Sequence, residues 1–236
     1  MNAQAHIRDR VAPAAYRRRM DARWARAWFA LTAFAVAVEL VVTVVLEAQA
    51  TDRLFDTAAG RVFNVFWFFT IQSNIIVGVT CLLLALDPNR RSTVFATFRL
   101  IGIVAITVTM VVFHVVLSRL LDLDTWGQFA NQLQHTVVPI MAIVGWVAFG
   151  PRGLATKRAV WLSVCFPVAY MAATLIRAPL AKHFYPYPFA NVTQLGYARV
   201  VINGNWIGTL FVALAAGAAA LDARLARAAP TPAPAR

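Results

Sequence analysis

Phe69-Thr70-Ile71-Gln72-Ser73-Asn74-Ile75-Ile76-Val77-Gly78-Val79-Thr80-Cys81-Leu82-Leu83-Leu84-Ala85-Leu86 is an apolar run with a polar head. A second run, around Gln134-His135-Thr136-Val137-Val138-Pro139, repeats the pattern. Runs this apolar and this long belong in a bilayer, where roughly 20 residues cover the hydrocarbon core. Polar side chains inside such runs destabilise the span unless they find partners, so they mark candidate site positions.

Composition around these runs supports the membrane assignment. Of the 236 residues, 60% are hydrophobic and 14% charged, with a mean hydropathy of +0.64. A soluble domain carries about 25% charged residues. Six apolar stretches of spanning length are legible: Trp24–Glu47, Phe63–Leu86, Ala96–Ser118, Asn131–Phe149, Arg158–Ala178 and Tyr197–Leu221. The expected fold is an all-α polytopic membrane bundle of six transmembrane helices occupying residues 24–221, flanked by disordered tails at 1–23 and 222–236.

The distribution of Lys and Arg sets the orientation. The N-terminal head, the second and fourth loops and the C-terminal tail hold 16 of the 22, which places both termini in the cytoplasm by the positive-inside rule. The localisation implied is the cell membrane, multi-pass. The same loops account for the formal charge of +12 and argue against a nucleic-acid partner. The basic head is expected to meet anionic headgroups instead. The first span is too long for a signal core and contains Glu39, so cleavage is not expected. Cys81 and Cys165 show no disulfide or metal spacing.

On this topology the buried polar residues form one layer in the outer half of the membrane. Thr70 lies roughly 10 Å and His135 roughly 6 Å below the outer ends of their spans. Glu39, His114, Asn203 and Asn205 fall at similar depth, while the inner half is almost purely aliphatic. Helical spacing puts Thr70 with Asn74, Asn131 with His135, and Glu39 with Thr43 on shared faces. The layer holds a hydroxyl, an imidazole and amides, but no second acid and no thiol. These are the parts for acyl transfer: Thr70 as nucleophile, His135 as base, Asn131 or Glu39 to orient the ring, and Gln72, Ser73 or Asn74 to donate to an oxyanion. No cofactor or metal is needed for that chemistry. The substrate would be a lipid drawn from the bilayer.

Each residue also has a structural reading. A transmembrane threonine commonly bonds its own i−4 carbonyl, and Asn or Gln at this depth joins helices. Two other functions fit the same layer. His114 and His135, at matching depth on consecutive spans, could be axial ligands of a haem. The layer could equally serve a lipid or small-molecule transporter or receptor. The fifth loop, Lys182-His183-Phe184-Tyr185-Pro186-Tyr187-Pro188-Phe189, mixes aromatics and prolines as a belt anchor or a lid would.

Phe68-Phe69-Thr70, His135-Thr136-Val137-Val138-Pro139, Tyr187-Pro188-Phe189, Asn191-Val192 and Gly196-Tyr197 together resemble the androgen-induced-protein family of integral membrane threonine hydrolases, in particular its bacterial branch. The resemblance implies hydrolysis of fatty acid esters of hydroxy fatty acids. It places that family's threonine and histidine on Thr70 and His135.

Overall fold

A computed structural model of the chain describes residues 3–51 and 53–228, with side chains from Ala22 onward. Of the two ends expected to be disordered, residues 3–23 are helical and belong to the first helix and 222–228 are helical and belong to the last, while residues 1, 2 and 229–236 lie outside this description. Among the described residues the secondary structure is entirely helical. The helices are α1 (Ala3–Gln49), α2 (Ala58–Val65), α3 (Phe69–Leu86), α4 (Thr93–Val112), α5 (Thr125–Gln132), α6 (Val138–Ala148), α7 (Lys157–Arg177) and α8 (Val192–Ala228).

Five segments are long and apolar enough to cross a membrane: Ala22–Gln49, Phe69–Leu86, Thr93–Leu120, Lys157–Leu180 and Val192–Ala228. Large apolar side chains such as Phe34, Trp161 and Val168 cover the outside of the bundle, a surface suited to lipid and costly in water. The architecture is that of a multi-pass membrane protein.

Three expected boundaries change, each for a local reason. The stretch Phe63–Leu86 is two helices rather than one. Phe68 is extended at φ −80°, ψ 131°, so α3 begins at Phe69 and Thr70 sits in its first turn rather than mid-helix. The carbonyls freed at this break have side-chain donors: Gln72 Nε2 bonds Phe66 O at 3.0 Å and the Tyr170 hydroxyl bonds Trp67 O at 3.0 Å. The stretch Asn131–Phe149 is not one regular span either. It comprises the end of α5, a π turn over Leu133–Val137, and α6 with Pro139 near its start. Asn131, Gln132, Gln134 and His135 crowd its N-terminal end, which leaves five rather than six segments of spanning length and apolarity among the described residues. Finally, α8 continues past Leu221 to Ala228, because buried Asp222 accepts the Ala155 amide at 2.9 Å and ties that end to the preceding loop.

Helix α4 is central. Phe95 and Ile106 join the core that α4 forms with α1, α3 and α6. Leu100, Val104, Ala105 and Val108 join the core formed with α7 and α8. Helix α1 lies against α3 closely enough that a Cβ on Gly78 would stand 2.8 Å from Val36 Cγ1. Alanine gains about 1 kcal/mol of helix propensity over glycine, but overpacking costs about 1–3 kcal/mol. Gly78→Ala therefore lowers the Tm in detergent. Gly208→Ala on α8, where nothing lies within 4 Å of the added methyl, leaves it unchanged or raises it. Equal shifts for the two variants would show that α1 and α3 do not approach this closely.

The loops at the end of the bundle where α3 begins are tied to one another. Arg61 donates to the carbonyls of Glu47, Ala48, Phe55 and Asp56, folding the α1–α2 loop onto the end of α1. Lys182 Nζ reaches Asp56 Oδ2 at 2.8 Å and the Leu54 carbonyl at 2.9 Å, bringing the α7–α8 loop to the same place. That hydrogen bond and charge hold the Asp56 carboxyl below the usual carboxylate range. The pair is exposed, so it guides the loop more than it stabilises the fold. Lys182 and His183 both adopt left-handed φ, 53° and 55°, a conformation uncommon outside glycine and asparagine, and so make the sharp turn into the aromatic stretch.

Candidate functional site

A cavity of about 1010 Å³ opens at this end of the bundle. Its lining includes Thr70, Asn131, Gln134, His135 and Tyr187, with apolar walls from Leu117, Leu120, Leu121 and Phe184 and charged residues Glu47, Arg53 and Asp122. It therefore offers an apolar interior beside polar groups from three different parts of the chain.

Thr70 is bonded unlike four other threonines on the helices, although Thr43, Thr109, Thr136 and Thr174 also lack a bond to the carbonyl four residues back. Thr32, Thr80, Thr97 and Thr107 each donate to the carbonyl four residues back. The hydroxyl of Thr70 instead faces two side chains: His135 Nε2 at 3.5 Å and the Tyr187 hydroxyl at 3.1 Å. The helix break explains the difference. Four residues before Thr70 lies Phe66, outside α3, and its carbonyl is already occupied by Gln72.

His135 lies in the π turn and is 8% exposed. Its Nδ1 is 3.1 Å from the Asn131 carbonyl oxygen. A carbonyl only accepts, so Nδ1 carries the proton and Nε2 presents its lone pair to Thr70. The separation of 3.5 Å is longer than a formed O–H···N bond, and a movement of a few tenths of an ångström closes it. The imidazole stacks on Phe113, with ring centroids 4.0 Å apart and planes at 25°. Phe113 opens the second π turn, Phe113–Leu117, so two π turns face each other across the histidine. Such turns recur at functional sites because the extra residue re-aims a side chain.

Asn74, fully buried, braces the pair from behind: its Nδ2 donates to the Thr70 carbonyl at 2.9 Å and to the Gln134 carbonyl at 3.4 Å. Gln134 in turn donates to Thr43 on α1 at 2.6 Å. The structure thus joins Thr70, Asn74, Asn131, Gln134 and His135. Asn131 orients the ring through its backbone carbonyl rather than its amide.

The other expected residues have different places. Gln72 seals the α2–α3 break, and Ser73 bonds the Phe69 carbonyl at 2.6 Å, so neither faces the cavity as an oxyanion donor. Glu39 is fully buried on α1, and neither carboxyl oxygen has a hydrogen-bond partner among the described residues; it does not orient His135. Asn203 donates to the Phe189 carbonyl at 2.9 Å and anchors the α7–α8 loop. Asn205 is exposed on α8 and stands apart from the layer. His114 is exposed, with Nε2 3.2 Å from Thr136 Oγ1. The two histidines address different hydroxyls, and the ring of Phe113 stacks on His135.

Tyr187 is the site residue that sequence reading missed. The fifth loop stood out for its aromatics and prolines, but nothing local tells which of its two Tyr-Pro pairs turns inward. Tyr187 accepts the Thr70 amide at 3.1 Å in addition to its contact with Thr70 Oγ1. Burial raises its phenol above the ordinary tyrosine value, against the lowering effect of hydrogen bonds from Thr70 and the Phe69 amide. It is therefore a neutral O–H donor near pH 7.

Fold and site together define a helical membrane bundle with a threonine–histidine pair in a cavity at one end. Compared with protein-family models, curated proteins and solved structures, the chain has no match.

Proposed function

We propose that the chain is an integral membrane lipid ester hydrolase with Thr70 as nucleophile and His135 as general base. The observation that carries this reading is the orientation of His135: Nδ1 is committed to a backbone carbonyl and Nε2 faces the Thr70 hydroxyl in the first turn of α3.

The reaction follows from these positions. An ester enters the cavity from the bilayer with its acyl chain along the apolar wall. Thr70 Oγ1 attacks the carbonyl carbon as its proton passes to His135 Nε2. The alcohol leaves with that proton, and the acyl group stays on Thr70. Water then attacks, giving its proton to His135, and the acid departs as Thr70 recovers its hydrogen. The resemblance to the androgen-induced-protein family favours fatty acid esters of hydroxy fatty acids as the substrate class. We place six spans in the membrane, the segment through α5 and α6 being the fourth, with both termini cytoplasmic and the basic head against anionic lipid. The cavity then faces outward.

The apolar cavity by itself would also suit a transporter or receptor, so the test must read covalent chemistry. Fluorophosphonate labelling of the wild type, Thr70→Ala and His135→Ala does so: the wild type labels and both variants do not. Unchanged labelling of Thr70→Ala removes the hydrolase. Orientation has its own test. An ester probe anchored in the outer leaflet of oriented vesicles is cleaved faster than the same probe in the inner leaflet, and equal rates would contradict an outward-facing site.

A further inference from the structure

Tyr187 is more than a lid residue, because its hydrogen bonds fix the direction of every proton around Thr70. The Thr70 amide can only donate, so at 3.1 Å it occupies a lone pair of the Tyr187 oxygen. The phenol's own hydrogen must then go elsewhere. The acceptor in contact with it among the described residues is Thr70 Oγ1, also at 3.1 Å. With that lone pair occupied, the Thr70 hydrogen is left to point toward His135 Nε2, 3.5 Å away, while His135 Nδ1–H donates to Asn131 O. A donor fixes one end of the chain and an acceptor the other, so the hydrogens run one way.

The α3 N-terminus gives the phenol its setting. The first main-chain bond into this helix runs from the Gln72 amide to the Phe68 carbonyl, at 3.1 Å. The amides of Phe69, Thr70 and Ile71 therefore precede the ladder, and the Tyr187 oxygen accepts from the Thr70 amide among them. Amide donors on a phenolic oxygen polarise its O–H outward. The ring is held in place by a parallel stack on Phe189, centroids 5.1 Å apart, and an edge contact with Phe68, while Asn203 pins the Phe189 carbonyl.

We propose that Tyr187 is a third catalytic residue, the donor to the oxyanion; this rests on the hydrolase reading. In the resting site its O–H lies on Thr70 Oγ1. As the Oγ1–carbon bond forms, the carbonyl π pair moves onto the ester oxygen and Thr70's proton moves to His135 Nε2. The Tyr187 O–H turns from Oγ1 to that oxyanion, a partner with full negative charge, which frees the Oγ1 lone pair for attack at the moment it is needed. When the tetrahedral centre collapses, the C–O bond to the alcohol breaks, His135 gives the alcohol its proton, and the Tyr187 hydrogen returns. Tyr187 changes hydrogen-bond partner without losing its proton, so the step needs no further co-reactant.

The test uses the full-length protein in nanodiscs with a p-nitrophenyl acyl ester. In Tyr187→Phe, kcat falls by about 10²–10³-fold, the scale of a lost oxyanion donor, while KM stays within about twofold. 3,5-Difluorotyrosine at position 187 keeps the hydroxyl but makes it more acidic, so it retains kcat at neutral pH and loses it at a lower alkaline pH than the wild type. This second variant decides the matter if Tyr187→Phe does not fold. If Thr70→Ala is inactive while Tyr187→Phe keeps its kcat, or loses activity through KM alone, Tyr187 is a loop anchor and the hydrolase reading stands without it. An alkaline limb unmoved by fluorination overturns the donor role in the same way. A wild type without Thr70-dependent hydrolysis overturns both.

Discussion

Replacing Thr70 by alanine lowers ester hydrolysis by about 10⁴-fold or more, the loss seen when an acyl-transfer nucleophile is removed, and leaves a folded protein. The fold survives because little of it depends on the hydroxyl. The Thr70 carbonyl still receives Asn74 Nδ2 and its amide still donates to Tyr187. The cost is one hydroxyl contact, about 1 kcal/mol. Measuring kcat/KM and Tm on the same preparation separates the two effects. Thr70→Ser restores a hydroxyl at the same position and recovers part of the rate. Full activity in Thr70→Ala would end the hydrolase proposal, and a parallel collapse of Tm would make Thr70 structural.

Replacing His135 by alanine removes the base and costs about 10²–10⁴-fold in kcat. It also has a structural price that the Thr70 variant lacks. The imidazole covers Phe113 at 4.0 Å and its Nδ1 satisfies the Asn131 carbonyl, so alanine leaves both a gap and an acceptor without its donor. Together these amount to about 1–3 kcal/mol. Fluorophosphonate labelling at Thr70 is lost as well, since an unassisted threonine hydroxyl is a poor nucleophile. Labelling of His135→Ala at the wild-type rate would mean that the hydroxyl is activated by something other than the imidazole.

Much of the site could be read from residue types in apolar runs. Thr70 and His135 are conspicuous because the bilayer penalises them, and their contact across 65 positions of sequence follows the shared depth. Asn131 lies beside the ring but meets it through its backbone carbonyl, and Asn74, expected as an oxyanion donor, commits its Nδ2 to the Thr70 and Gln134 carbonyls instead. Gln72 and Ser73 were misplaced for a specific reason. Helical periodicity does not hold across Phe66–Phe68, where the chain is interrupted, and the interruption turns Gln72 toward the α2 end. The π turn at Leu133–Val137 is illegible for a similar reason: it is a backbone adjustment that changes which face a side chain joins without changing composition. Asn203 and Asn205 match the layer by depth alone. Depth places a residue along the helix axis but not around it, and α8 turns Asn203 to the loop and Asn205 outward.

What the sequence determined by itself is the solvent and the layer: apolar runs long enough to span, and polar groups concentrated toward one end of them. Both are one-dimensional properties, set by how far along a helix each residue lies. Tertiary structure alone decided which groups touch. It broke the helix before Phe69 so that Thr70 stands among free amides, rotated His135 through a π turn onto Phe113, and carried Tyr187 across 117 positions to the Thr70 hydroxyl. Hydrogen bonds act over about 3 Å and only in a favourable direction, and distance and direction of that kind are fixed by packing between helices and loops, not by spacing along one chain.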